Sequence, residues 1–161
     1  MSLPVALAAR LRMQGFACDH DPLVARLEPW LRWTPGLSTI WILAGTVLRE
    51  PGILLAFSLV AGLGAAGWHP LDALFNGVVR HLQKLPALPH NPAPRRFAMA
   101  VAAAWSAMTA ILYAAGYLGW GLAAGLLLAA AALLVASTHF CLGSWVWHRL
   151  GLGRSRSVEK R

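Results

Sequence analysis

Acidic residues are scarce in this chain, with only six Asp and Glu in 161 residues. Cysteine is scarcer, with Cys18 and Cys141 alone. Across the fifty-two residues from Phe97 to His148 there is no Lys, Arg, Asp or Glu at all. Each absence excludes something. Two cysteines cannot build a disulfide framework or a cysteine-rich zinc site. No paired carboxylates, nucleophile–base motif or phosphate-cradling glycine loop is visible, so no standard hydrolytic or phosphoryl-transfer site is read. An uncharged run of that length excludes an ordinary soluble domain, which carries about 25% charged residues.

What is present is apolar. Hydrophobic residues make up 58% of the chain and charged residues 12%, with a mean hydropathy of +0.57. The run from Phe97 to His148 is too long for one membrane crossing and suits two, since about 20 helical residues cross a ~30 Å hydrocarbon core. Shorter uncharged segments cover Trp33–Leu48 and Pro51–Leu71. The patterning predicts an all-α membrane protein with four transmembrane helices: Thr34–Leu48, Gly52–Trp68, Ala98–Tyr117 and Gly121–Phe140. Tight turns at Arg49-Glu50-Pro51-Gly52 and around Leu118–Gly121 pair them into two hairpins. The first helix is short, about 24 Å for sixteen uncharged residues, so a shallow first hairpin is the alternative.

The net charge of +8 could point to nucleic acid, but its placement points to a membrane. Thirteen of fourteen Lys and Arg precede the first helix, lie between the hairpins or follow the last; only Arg49 sits in a hairpin turn. Basic residues in short loops stay cytoplasmic. Both termini and the central loop are therefore expected on the cytoplasmic side. There the basic groups meet anionic headgroups, at about 1 kcal/mol each. Leu3–Ala9 lacks the length and basic flank of a signal peptide.

The expected organisation follows. Residues 1–33 form an N-terminal amphipathic surface segment, broken at Asp19-His20-Asp21-Pro22. Residues 34–85 form the first hairpin plus a surface helix, with Leu71, Leu74, Phe75, Val78, Val79 and Leu82 at helical spacing. Residues 86–97 are a proline-rich strap. Residues 98–151 form the second hairpin plus a surface helix, and 152–161 a basic tail. His69 and His139 occupy equivalent places about 70 residues apart, which suggests a parallel two-fold repeat.

Within the helices, glycine and alanine provide close-packing faces, including the small-xxx-small pair Gly121 and Gly125. The absence of mid-membrane charge weighs against a pump or coupled transporter. Most of the eight tryptophans fall near helix ends as an aromatic belt, with Trp105 deeper.

His69–Asn76 (HPLDALFN), Leu88–Phe97 (LPHNPAPRRF) and Phe140–Ser144 (FCLGS) closely resemble the bacterial membrane family known as domain of unknown function 4395. The resemblance runs from about Arg12 to Gly151. It implies a small membrane domain with paired helices and no established activity. Family patterns near the last motif often show Cys-x-x-Cys or a Cys followed by Ile-Pro-Ser; here Cys141-Leu142-Gly143-Ser144 has Ser at the second thiol position, which weighs against a two-thiol redox or metal role.

Cys141 is the candidate reactive thiol, placed near the start of a following helix that would favour a thiolate. A candidate polar cluster comprises His69, Asp72, Asn76, Arg95, Arg96 and His139, with Asp72 able to pair an arginine and lock the surface helix to the strap. No spacing matches a metal motif, and no cofactor is called for. The sequence suits a non-enzymatic scaffold or accessory subunit beside a larger membrane protein, or a homo-oligomer. A thiol-dependent redox or sulfur-handling protein centred on Cys141 and a small-solute channel are the alternatives.

Overall fold

The computed structural model describes residues 4–16 and 26–152. Cys18, the Asp19–Pro22 break and the basic tail lie outside them. Among the described residues every regular element is helical. A first helix, α1 (Val5–Met13), is followed by a 3-10 turn (Glu28–Arg32) that runs straight into α2 (Trp33–Val47). The chain then forms α3 (Pro51–Ala66), α4 (Pro70–Leu74), a π-helical turn (Phe75–Val79) and α5 (Arg80–Gln83). Residues 86–92 are extended, and α6 (Ala93–Ala114), α7 (Leu118–Thr138) and α8 (Leu142–Arg149) complete it.

Among the described residues, two helices, α6 and α7, are each long and apolar enough to cross a membrane, and α3 with the bent segment after it makes a third only if the two count as one broken span. The expectation of four transmembrane helices is corrected on this point. Helices α2 and α3 have 15 and 16 residues, so they reach about 22 and 24 Å, short of a ~30 Å core. The reason α3 stops is local. Gly67 adopts φ +113, its N–H bonds to Gly64 O, and Trp68 N–H returns to Leu63 O, which closes the helix with a left-handed cap. Pro70 then opens α4, and the axis turns through 79°. At the other end, α6 begins earlier than the strap boundary implied. Pro92 precedes it and Pro94 sits in its first turn, where a missing N–H costs nothing.

The two hairpins associate as a four-helix bundle. Helix α3 packs along α6, α2 along α7, and the hairpin partners close the ring. Water is absent from a membrane interior, so buried hydroxyls and indoles must find acceptors in the protein. Four of them do so across helices. Ser58 donates to Ala103 O at 2.8 Å, Ser106 to Leu54 O at 2.8 Å, Tyr113 to Thr46 O at 2.9 Å, and Trp105 Nε1 to Ala124 O at 3.1 Å. Gly121 and Gly125 permit two of these approaches. A Cβ at Gly121 would lie 2.8 Å from the Tyr113 ring, and one at Gly125 would collide with Thr46.

A second apolar cluster sits at the end of the bundle that carries the termini. Leu11, Phe16, Leu27, Leu31, Phe75 and Leu88 pack together there. Trp30 and Trp33 stand 5.3 and 6.1 Å from the Phe75 ring. The apolar faces of the segments flanking the hairpins thus bury against one another. Between this cluster and the bundle lies a layer of polar side chains.

Candidate functional site

Among the helices of the bundle is a cavity of about 220 Å³, part-open to the outside where the exposed Val101, Leu127 and Leu142 border it. Its walls come from Pro35, Ser38 and Ile42 of α2, Phe57 and Ala61 of α3, Ala98, Met99 and Ala102 of α6, and Leu128, Ala131 and Ala132 of α7. Facing alanines leave the space. Trp105 spans from α6 to the Ala124 carbonyl of α7 and, with Ile42, Phe57 and Leu128, lines the end of the cavity away from Arg95. Ten residues of α6 separate Arg95 from Trp105, a depth of about 15 Å.

The outer end of the cavity is polar. Gln14, Thr34, His69, Arg95 and Cys141 line it, and all five are buried. Six elements deliver the layer. Asp72, in the first turn of α4, accepts from the Thr34 hydroxyl at Oδ1 and from Asn91 Nδ2 at 3.0 Å at Oδ2. Arg95 Nη2 lies 3.8 Å from Asp72 Oδ1, and its guanidinium stands 5.6 Å over the Phe16 ring. The N-cap His69 accepts from Leu71 N–H at Nδ1, 3.2 Å. Burial pushes its pKa down; Asp72 pulls up and Arg95 down, and the net direction is down. A neutral ring with Nδ1 accepting carries its proton on Nε2.

The C-terminus of α7 is held by cations and amides, as its exposed carbonyls require. Arg10 donates to Thr138 O, Arg32 to Ser137 O, and Gln14 to His139 O at 2.7 Å. His139 adopts φ 58 and is 1% exposed. Its Nε2 lies 2.8 Å from Glu28 Oε1 and 3.0 Å from Arg32 Nε. Burial lowers its pKa, which the Glu28 contact only partly offsets. Burial raises the Glu28 carboxyl, but hydrogen bonds from Arg32 and His139 outweigh this and hold it below its ordinary value.

The structure brings His69, Asp72 and Arg95 into one group, with His139 close enough for Arg95 to act on it electrostatically. It separates the other two cluster residues. Asn76 pins the strap, accepting from Leu88 N–H at 2.7 Å. Arg96 points along the other face of α6 and donates to Ala65 O at 2.8 Å and Ala66 O at 3.3 Å, capping α3. Cys141 is buried at the N-cap of α8 and forms part of the cavity wall. Ser144, one turn on, is fully buried, and its hydroxyl has no partner among the described residues. Sequence reasoning missed Gln14, Glu28, Arg32 and Thr34. The i,i+4 spacing of Glu28 and Arg32 was the one available signal; nothing local marks Gln14 or Thr34. Among the described residues no three His, Cys, Asp or Glu side chains are placed to hold a metal ion.

The chain matches the family described as Domain of unknown function (DUF4395) over residues 28–151. It belongs to that family. The matched region runs from the 3-10 turn through α8, so it contains the cavity walls and most of the polar layer; α1 and Gln14 lie outside it. No curated protein and no solved structure matches the chain.

Proposed function

We propose that this is a small, non-catalytic membrane protein whose bundle holds a small lipophilic molecule, polar end toward the termini. The observation that carries the reading is the cavity itself: apolar along about 15 Å of α6 and closed at one end by five buried polar side chains. Close packing is the rule in protein interiors, and a space bounded on one side by a buried arginine and histidine has the form of a binding site.

Within this reading the protein lies in a bacterial inner membrane with α6 and α7 spanning. The shorter α2 and α3 pack beside them, and the distribution of Lys and Arg favours both termini in the cytoplasm. The polar end of the cavity then opens at the cytoplasmic interface. The exposed apolar faces of α2 and α3, including Ile40 and Leu59, suit lipid, a larger membrane protein or a second copy. An accessory subunit that presents or stores a lipophile fits this shape. A second reading draws on Cys141, whose place in the cavity wall would bring its thiol to any occupant.

Gentle extraction from the native membrane, followed by mass spectrometry of everything that elutes, tests the proposal. A stoichiometric small molecule is expected with the wild type and not with Ala102→Leu/Ala131→Leu, which fills the cavity. Equal bound lipophile in both would refute it.

A further inference from the structure

Arg95 has more donors than partners. A guanidinium carries five N–H groups, and Arg95 is buried, 8% exposed, at the polar end of the cavity. Its distance of 3.8 Å from Asp72 Oδ1 is an ion pair and not a hydrogen bond. Its other contact is the face of Phe16. Among the described residues it donates no hydrogen bond. Asp72 takes hydrogen bonds from Thr34 and Asn91, and at 3.8 Å Arg95 Nη2 stands outside hydrogen-bond reach of its Oδ1. Nor does the helix call for a cation here: Arg95 is in the first turn of α6, where the helix dipole disfavours positive charge. The Arg95 guanidinium is not fully enclosed by protein, and Arg95 lines the cavity, so the donors are left for an acceptor from outside the chain.

His69 adds a donor at the same end. With Nδ1 accepting from Leu71 N–H, the neutral ring presents an Nε2–H. Two side chains, Arg95 and His69, therefore offer donors at the one polar end of an otherwise apolar space. That end is also electrically balanced, because Asp72 already compensates Arg95. An anion placed there would meet the Asp72 carboxylate beside an Arg95 charge that Asp72 already compensates. A cation would meet donors only. An uncharged acceptor satisfies the free N–H groups without disturbing that balance, and the walls beyond it are apolar.

We infer that the cavity takes an uncharged, carbonyl-bearing lipophile, its oxygen accepting from Arg95 and His69 and its apolar body lying along α6 toward Trp105. This rests on the cavity being a binding site, as proposed above. An alkyl ketone and a quinone share the recognised chemistry, and the test separates them.

The experiment measures retention of labelled 2-dodecanone, decyl-benzoquinone, dodecane and dodecanoate on the full-length protein in nanodiscs, above that on empty nanodiscs. The ketone or the quinone is expected to bind about tenfold or more tighter than dodecane and dodecanoate, the gain of one or more hydrogen bonds to a charged donor. Which of the two binds tighter identifies the class. Arg95→Met is expected to abolish that preference, so that the ketone and the quinone bind no tighter than dodecane to the same variant. Because this variant strands Asp72, Arg95→Met/Asp72→Asn repeats the measurement with the charge balance restored. Tightest binding of dodecanoate would overturn the inference in favour of an anion site. Equal binding of all four would overturn head-group recognition and leave the cavity reading standing. Retention no greater than that of Ala102→Leu/Ala131→Leu would overturn both.

Discussion

Gly125→Ala probes the contact on which the bundle depends. The new Cβ would fall 2.6 Å from Thr46 Cγ2 and 2.9 Å from Thr46 Cβ, well inside ordinary contact. Thr46 cannot yield easily. It is completely buried, and its carbonyl accepts the Tyr113 hydroxyl. Helix α2 must therefore shift away from α7. Overpacking of this kind costs about 1–3 kcal/mol, and the better helix propensity of Ala returns at most about 1 kcal/mol. A net loss of about 1–2 kcal/mol is expected, read by SDS titration of the protein in mixed micelles with circular dichroism. Thr46→Ala should restore the room. The Thr46 hydroxyl has no hydrogen-bond partner among the described residues, so its removal is itself cheap. Gly125→Ala in the Thr46→Ala background should then cost less than about 0.5 kcal/mol, which makes the coupling between the sites most of the effect. An unchanged stability for Gly125→Ala alone, or the same loss in both backgrounds, would refute the packing of α2 on α7.

Three further outcomes follow from the same geometry. Asp72→Ala removes the acceptor of Thr34 and Asn91 and leaves Arg95 uncompensated; a loss of about 3 kcal/mol is expected in the same titration, partly recovered when Arg95→Met is added. Gly67→Ala forces a Cβ onto a left-handed residue at φ +113 and should cost about 1–2 kcal/mol, whereas Gly62→Ala, with open space around it, should cost nothing measurable. The pH dependence has a definite sign. His69 and His139 have folded pKa values below the ordinary 6.5, so the unfolded chain takes up protons first as pH falls. Stability is then full above about pH 6.5 and declines below it. Glu28, held below 4.5, adds a further loss under that value. Stability scans between pH 8 and 4 should show both declines, and His139→Gln should flatten the first; a rise in stability on acidification would contradict the assigned environments.

The helices of the bundle were legible because uncharged runs and Pro-Gly turns mark them directly. Their spanning capacity was less so. The Trp33–Leu48 and Pro51–Leu71 runs are apolar enough for a membrane, but Gly67 ends α3 through a backbone conformation that composition does not reveal. The strap was overextended at Phe97, since Pro92 and Pro94 read as helix breakers when they in fact begin α6. The polar layer was half visible. His69, Asp72 and Arg95 stand out as rare polar residues beside apolar helices. Asn76 and Arg96 share that rarity, but the π-helical turn and the helical rotation of α6 carry them elsewhere. Gln14 reaches His139 across 125 residues, and Thr34 reaches Asp72 across 38; neither pairing leaves any local signal. The cavity could not be read at all, because the alanines that pack helices together are the same residues that leave space where two helices both present them.

The central claim is that the bundle interior accepts a small lipophile, and fluorescence tests it most directly. 1-Bromodecane is titrated into the full-length protein in nanodiscs, and the emission of Trp105 is taken as the difference between the wild type and Trp105→Phe. A saturable quenching of Trp105, lost in Ala102→Leu/Ala131→Leu, is the expected result. Quenching that rises without saturation and is identical in the filled variant would mean that the bromide reaches Trp105 only through bulk lipid, and that the cavity holds no ligand.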